Sequence, residues 1–117
     1  MAVKYTESGL WIEEIEEGYR IGLSEKGQDD VGEVTYAELP EFDKDLKKGE
    51  NLLGVEGAKA VTEIVLPMSG SVSKIHKELE DDTDLLNSID RSKNWILELT
   101  NVYDLNEKDL ADDPWFD

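Results

Sequence analysis

Lys59 has the sequence setting that most directly suggests chemistry. It lies within Glu56-Gly57-Ala58-Lys59-Ala60, where small residues flank a single amine between two apolar runs. An exposed lysine has a pKa of about 10.4 and is a weak nucleophile at neutral pH, so it is a poor catalyst by itself. An amine presented among small side chains suits covalent attachment of another group. The pattern therefore predicts a modification site at Lys59.

The two apolar runs beside Lys59 predict a β-hairpin. Residues 52–55 and 61–66 have the composition of short strands, and the chain between them must reverse within 57–60. This arrangement places Lys59 at the tip of the hairpin, away from the body of the domain. Glu56 has two interpretations, either as a determinant read by a modifying enzyme or as the cross-strand partner of Thr62.

The remaining sequence predicts a mainly β fold. Apolar and polar residues alternate over 19–24 and 95–100, and glycine or proline turn signals separate many short apolar runs. Short helical turns are expected over 24–30 and 77–87. A C-terminal helix is expected through Leu110 and Ala111, begun by the pair Asp104 and Glu107 and ended before Pro114. The pattern favours a small barrel or sandwich.

Composition excludes several functional classes. The chain has 117 residues, with 29 acidic and 12 basic residues and a net charge of -17, which opposes binding to nucleic acid or to anionic membranes. No apolar run approaches the roughly 20 residues that span a bilayer. Cysteine is absent, which agrees with a reducing compartment. We expect one domain over 1–117, with 101–117 as a helical tail, in the cytoplasm.

Metal chemistry has little support in the sequence. His76 is the single histidine, so no histidine cluster exists, and its charged neighbours favour a position on the surface. The acidic run over 78–84 lacks the glycine and the regular spacing of a calcium-binding EF-hand loop. No metal site and no catalytic residue is predicted.

An ordered series of motifs resembles the glycine cleavage H-protein family of lipoyl-attachment domains. The segment Glu56-Gly57-Ala58-Lys59-Ala60, followed by Pro67-Met68-Ser69-Gly70, is similar to the lipoyl-lysine hairpin of that family. Further similarities run along most of the chain, at Leu10-Trp11-Ile12, Ile21-Gly22-Leu23-Ser24, Val31-Gly32-Glu33-Val34, Glu38-Leu39-Pro40, Lys48-Gly49-Glu50, Leu85-Leu86-Asn87 and Asn94-Trp95. The resemblance implies a barrel-sandwich hybrid and a carrier protein that is not itself an enzyme.

The resemblance also implies a cofactor and partners. Lipoate would be joined to Lys59 through an amide, with Glu56, Gly57, Ala58 and Ala60 as the sequence context of the attachment site. Biotin is the competing cargo, but biotinyl lysines usually stand between two methionines, whereas Lys59 stands between two alanines. The implied partners are a lipoate-protein ligase, dihydrolipoyl dehydrogenase, glycine decarboxylase and aminomethyltransferase.

Two departures from the family pattern suggest a divergent branch. Gly9-Leu10-Trp11 stands where the family usually has His-Glu-Trp, and 90–94 replaces a Pro-Tyr-Gly motif. These departures favour H-like proteins, which resemble lipoyl carriers in redox signalling linked to ADP-ribosylation and occur with a sirtuin and a macrodomain protein. In that branch Asp29 and Asp30 are the candidate acceptors of ADP-ribose, and an ordinary solvated turn is the alternative reading of the pair.

Three alternatives to the H-like hypothesis follow from the same residues. The chain could be a glycine cleavage H protein that carries the aminomethyl group on its arm. It could be an unmodified acidic interaction module in which the hairpin around Lys59 has no cargo. It could also carry biotin. The H-like hypothesis ranks first, glycine cleavage second, and the other two follow well behind.

Overall fold

The structure is a computed structural model that describes residues 3–57 and 64–115, with the side chains of 51 and 53–57 outside the description. Strands dominate this part of the chain, and the helices are short. The strands are β1 Val3–Thr6, β2 Leu10–Ile15, β3 Gly18–Leu23, β4 Val34–Glu38, β5 Asp45–Leu46, β6 Asn51–Gly57, β7 Ile64–Val65, β8 Ser69–Ile75, β9 Trp95–Tyr103 and β10 Leu110–Ala111. The α-helices are α1 Glu25–Val31, α2 Glu78–Asp81 and α3 Arg91–Asn94, and 3-10 turns cover Thr83–Asn87 and Glu107–Asp109.

Two antiparallel sheets form the architecture. The larger sheet has the strand order β10-β1-β2-β3-β9-β8-β5, and the smaller has the order β4-β6-β7. Their inner faces enclose one cluster of buried side chains, as expected for packed sheets that alternate apolar and polar positions. This cluster includes Leu10, Ile12, Ile21, Leu23, Leu97 and Leu99 of the larger sheet and Leu52 and Ile64 of the smaller one. The predicted mainly β barrel-sandwich class is confirmed.

Trp11 explains why three consecutive residues of β2 are buried. Leu10 and Ile12 face the core, whereas Trp11 lies on the opposite face of the sheet and is still only 2% exposed. Its ring lies flat against Gly22, the cross-strand partner of Trp11, so closely that a Cβ at Gly22 would come within 2.3 Å of the ring. Both faces of the sheet are therefore covered at this point, and Trp11 serves as a packing residue.

Helix α1 packs against the β1–β2 turn through two glycines. A Cβ added at Gly9 would lie 2.6 Å from the Cα of Gly27, and one added at Gly27 would lie 2.2 Å from the carbonyl oxygen of Gly9. The Ser24 N–H donates to the Gly9 carbonyl at 2.9 Å, and the Ser24 hydroxyl accepts from the Gly27 N–H and caps the helix. The expected helical turn over 24–30 is confirmed.

The expected helical turns over 77–87 are also present, as α2 and the 3-10 turn Thr83–Asn87. The predicted C-terminal helix needs correction. Within residues 101–115 helical structure is limited to Glu107–Asp109, and Leu110–Ala111 pairs with β1 as a strand. Asp104 has φ +63 and cannot be an N-cap, so Asn106 caps the turn instead. The tail has only a few apolar residues, and hydrogen bonding to the edge of the sheet satisfies its backbone without a helix.

No helix within residues 3–57 and 64–115 is long and apolar enough to cross a membrane.

We predict that Gly9→Ala lowers the free energy of unfolding by about 3 kcal/mol, which combines a positive-φ penalty with a steric clash. Gly9 has φ +104, and its missing Cβ lies at the contact with α1. Urea denaturation followed by tryptophan fluorescence measures the change.

Gly49→Ala is the matched control for this prediction. Gly49 has φ +92, but an added Cβ would meet nothing within 4 Å. The free energy of unfolding of the control variant should therefore fall only by the positive-φ penalty, about 1 kcal/mol. Equal losses in the two variants would contradict the close contact between Gly9 and Gly27.

Candidate functional site

The strands beside Lys59 pair as the sequence predicts. Strand β6 is antiparallel to β7, with Asn51 opposite Val65 and Leu53 opposite Ile64. The ladder continues beyond β7, because the Leu66 N–H donates to the Glu50 carbonyl and the Gly49 N–H donates to the Leu66 carbonyl, both at 3.0 Å. These bonds form the base of the hairpin. Residues 58–63, including Ala58, Lys59 and Ala60, lie outside the described residues.

Strand β6 is also paired on its other side almost to the lysine. Tyr36 of β4 lies opposite Glu56, and Val34 lies opposite Gly57. Gly57 is two positions before Lys59, so the ladder fixes where the chain enters the segment that carries the amine. The cross-strand pairing of Glu56 with Thr62 stays a prediction, since Thr62 is outside the described residues.

An asparagine fixes the end of β4 that faces Gly57. The Val34 N–H donates to the Asn87 side-chain oxygen at 3.0 Å, and the Asn87 amide donates to an oxygen of Asp84 at 3.3 Å. Because Val34 begins an edge strand, this side chain takes the place of a missing sheet partner. The 3-10 turn that ends at Asn87 thus holds the strand that positions the hairpin.

A second asparagine connects the same region to Trp11. The Trp11 indole N–H donates to the Asn94 side-chain oxygen at 2.8 Å, and the Asn94 amide donates to the Ser88 carbonyl at 2.8 Å. The Gln28 amide of α1 donates to the same carbonyl at 2.6 Å. These bonds satisfy buried polar groups, and they connect α1, β2 and α3 to the turn that contains Ser88.

In the sequence, Asn87 and Asn94 stand out only as parts of motifs. Asn87 directly follows two leucines, and Asn94 directly precedes the apolar run that begins at Trp95. These neighbours do not reveal that the partners are Val34 and Trp11, which lie 53 and 83 positions away.

Acidic groups surround the end of the sheet near Gly57. Gln28, Gly32, Glu33, Asp84 and Asn87 line a shallow cleft of about 440 Å³. Glu33 and Asp84 supply carboxylates to it, so a positively charged group is favoured there. Nearby, the backbone N–H and hydroxyl of Ser92 donate to Asp90 at 2.9 and 2.7 Å, and these bonds lower the pKa of the Asp90 carboxyl.

The candidate acceptors of ADP-ribose lie on α1. Asp29 and Asp30 are both exposed near the end of this helix, and Asp30 accepts a hydrogen bond from the Lys26 ammonium at 2.8 Å. Asp29 and Asp30 therefore belong to a helix and not to the solvated turn of the alternative interpretation. ADP-ribosylation of either residue stays a prediction. Within the described ranges no three histidine, aspartate or glutamate side chains are grouped as metal ligands.

His76 is buried, in contrast to the surface position predicted from its neighbours. Its ring stacks on Trp95 with centroids 4.4 Å apart, and its Nδ1 lies 2.7 Å from the Trp95 carbonyl oxygen, to which it donates. Burial was missed because the contact comes from a strand that is 19 positions away. Trp95 itself is half-buried and lies near Arg20 and Lys74, 5.3 and 5.5 Å from its ring centroid.

Comparison with known proteins identifies the family. A family model described as glycine cleavage H-protein matches residues 3–114. The chain belongs to the glycine cleavage H-protein family. Family membership makes it a carrier protein and not a catalyst, as the sequence predicted.

Individual relatives agree with this assignment. The glycine cleavage system H protein of Listeria monocytogenes is 34% identical over 106 residues, which cover 91% of this chain and 85% of the relative. A probable glycine cleavage system H protein of Thermococcus kodakarensis is 38% identical over 96 residues, covering 81% and 71% of the two chains. The crystal structure of a glycine cleavage system H protein from Mycobacterium marinum has the same fold, with a TM-score of 0.74 at 22% identity and coverage of 84% and 82%.

The comparisons do not support the H-like hypothesis. These relatives are described as glycine cleavage proteins, which favours the second-ranked hypothesis over the first. The structure also gives the two departures a structural role. Gly9 allows the contact with α1, and 90–94 forms the capped helix that ends in Asn94, the hydrogen-bond partner of Trp11.

We predict that Asn87→Ala lowers the free energy of unfolding by about 1–2 kcal/mol, because it leaves the Val34 N–H without its acceptor. Hydrogen exchange of the Val34 amide should become faster, since this amide is the donor in the lost bond. Hydrogen exchange followed by NMR measures the local effect.

Asn106→Ala provides the control. The Asn106 side chain also accepts a backbone N–H, from Lys108, but it caps the 3-10 turn of the tail. Its loss should cost about 1 kcal/mol or less and leave exchange at Val34 unchanged. Unchanged exchange at Val34 in Asn87→Ala would contradict the proposed role of Asn87.

Proposed function

We propose that this chain is a glycine cleavage H protein, loaded with lipoate on Lys59 and carrying the aminomethyl group between enzymes. The observation that carries the proposal is the family match over 3–114, which spans the paired strands that flank Lys59. Both departures from the family pattern have structural explanations, so they do not argue for a separate function.

The residues present fit a covalently attached lipoate. Lys59 supplies the primary amine that an amide needs, and β6 is held by β4 on one side and by β7 near its base on the other. The segment 58–63 therefore begins and ends in paired strands, Gly57 on one side and Ile64 on the other. Paired strands on both sides of this segment suit a site whose cargo several enzymes must reach.

Lipoate would supply redox chemistry that the chain lacks, through a dithiolane that cycles between disulfide and dithiol. The sequence contains no cysteine that could replace or trap it by thiol exchange. The carboxylates of the cleft near Gly57 also favour one kind of carried group over another. The amine of an aminomethyl group is cationic at neutral pH, and Glu33 and Asp84 near Gly57 favour a cation over an anion.

The proposal implies defined partners. A lipoate-protein ligase loads Lys59, and glycine decarboxylase, aminomethyltransferase and dihydrolipoyl dehydrogenase use the arm in turn. The sirtuin and macrodomain partners of the H-like hypothesis have no support from the comparisons. A cytoplasmic location and a single domain over 1–117 are parts of the proposal that rest on the sequence.

We predict a single lipoyl adduct on the chain after co-expression with a lipoate-protein ligase in the presence of lipoate. The adduct should be absent from Lys59→Arg, because arginine keeps the charge but cannot form the amide. Intact-mass spectrometry with peptide mapping measures the adduct and its position.

Lys44→Arg is the control, since this exposed lysine lies in the loop before β5 and should not affect loading. A lipoyl group on another lysine would refute the assignment of Lys59. A streptavidin-positive chain would support biotin carriage, and an unmodified mass from the native cell would support the interaction module.

We further predict that the lipoylated chain supports glycine decarboxylation with the purified enzymes of the glycine cleavage system. Activity should fall to background in Lys59→Arg, because the arm is the acceptor of the aminomethyl group. Release of labelled carbon dioxide from glycine measures the reaction.

The lipoylated Listeria monocytogenes relative serves as the positive control in the same assay. Full activity of that relative together with background activity of the loaded chain would contradict a role in glycine cleavage, while leaving lipoyl attachment intact.

A further inference from the structure

An exposed aromatic residue stands between two grooves at the base of the β4–β6 pair. Phe42 is 64% exposed, although most large apolar side chains of the described residues are buried. One groove, of about 830 Å³, has Leu46 and Leu52 in its lining, both almost fully buried residues of the core. A second groove, of about 240 Å³, lies between Phe42 and Ile75. We call this area the Phe42 surface.

The loop that presents Phe42 is held by the neighbouring strand. The Asp43 N–H donates to the Val72 carbonyl at 2.8 Å, and the Val72 N–H donates to the Lys44 carbonyl at 2.9 Å. The Ser71 hydroxyl donates to Asp45 at 2.6 Å, next to the β5–β8 pairing. Phe42 is therefore exposed on a fixed loop, and a partner would not have to order this segment on binding.

Charge limits what can bind to this surface. Its two grooves carry five exposed acidic residues and two exposed basic residues, Lys44 and Lys77, in a chain of net charge -17. The acidic residues are Glu38, Glu41, Asp43, Glu50 and Glu80. A second copy of the chain would be repelled, because both partners would be strongly acidic. A protein with arginine or lysine side chains around an apolar pocket is complementary in both charge and shape.

The Phe42 surface lies at the opposite end of β6 from the attachment segment. Glu38 pairs with Gly54 and Glu50 bonds to Leu66, whereas Val34 pairs with Gly57 at the far end. Gly57 is seven positions after Glu50, which corresponds to about 23 Å at about 3.3 Å per residue of strand. A partner bound through Phe42 would therefore leave the segment that carries Lys59 uncovered.

We propose that the Phe42 surface is a docking site for an enzyme that uses the lipoyl arm, through a basic patch on that enzyme that receives the Phe42 ring. This proposal rests on the proposed function, because that function supplies the class of partner. Docking at this end of β6 would hold the enzyme on the chain without covering Gly57, the residue from which the segment of Lys59 continues. Exposed aromatic residues in fixed positions commonly contribute a large share of binding energy in such interfaces.

The test measures binding of the chain to glycine decarboxylase, aminomethyltransferase and dihydrolipoyl dehydrogenase, each purified, by biolayer interferometry. All variants carry Lys59→Arg, so that the arm does not contribute. For at least one enzyme, Phe42→Ala should raise Kd by about tenfold or more, as for a hot-spot aromatic. Glu41→Lys should raise Kd and reduce its dependence on salt, because it removes an attraction to a basic patch.

Two matched controls separate docking from general effects. Trp115→Ala removes an aromatic side chain of similar exposure, 54%, that follows β10 at the opposite edge of the larger sheet from β5. Glu16→Lys reverses an exposed acid in the β2–β3 turn. Neither should change Kd by more than about twofold. Circular dichroism of each variant verifies that folding is retained, which the exposure of all four residues favours.

Equal affinity of Phe42→Ala and its parent for all three enzymes would overturn the docking site, as would absence of binding by the parent. Self-association of the chain that depends on Phe42, detected by sedimentation velocity, would also overturn it in favour of a dimer interface. The proposed function has separate readouts, the adduct on Lys59 and release of carbon dioxide from glycine. If the chain acquires the adduct and supports release of carbon dioxide, but its binding to the enzymes does not depend on Phe42, the proposed function stands and the docking site is refuted.

Discussion

The point at which the chain enters the segment 58–63, which carries Lys59, depends on the pairing of β6 with a strand on each side. β7 and the bonds between Glu50 and Leu66 fix the base of the hairpin, and β4 extends the pairing to Gly57. A slip of one residue in either ladder would turn the buried Leu52 of β6 away from the core. Burial of Leu52 and Ile64 therefore fixes the register, and the register fixes where the segment of Lys59 begins.

Side-chain hydrogen bonds also fix the positions of elements outside the sheets. Asn87 accepts a hydrogen bond from the N–H of Val34, the buried first residue of the edge strand β4, and Asn94 connects Trp11 to the Ser88 carbonyl that also binds Gln28. Short helices with little stability of their own are thereby held in one arrangement. The two departures from the family pattern belong to this arrangement, since one allows α1 to approach and the other ends in Asn94.

The molecule separates two tasks along β6. The end at Gly57 leads to the amine and has carboxylates that favour a cation, whereas the end at Glu50 carries the Phe42 surface. The paired strand β6 separates the two ends, so a partner bound at the end of Glu50 does not cover Gly57. The net charge of -17 serves both ends, because it attracts basic partners and opposes association between copies.

The class of fold, the strands on either side of Lys59 and the family are predictable from the amino-acid sequence alone. These features follow from local patterns: alternation of apolar residues, turn residues and an ordered series of motifs. The structure decided what local patterns cannot express. Stacking buries His76 on Trp95, Leu110 and Ala111 join the edge of a sheet instead of a helix, and Asn94 meets Trp11 across 83 positions. Each outcome depends on a partner distant in the chain, which only the tertiary arrangement brings into contact.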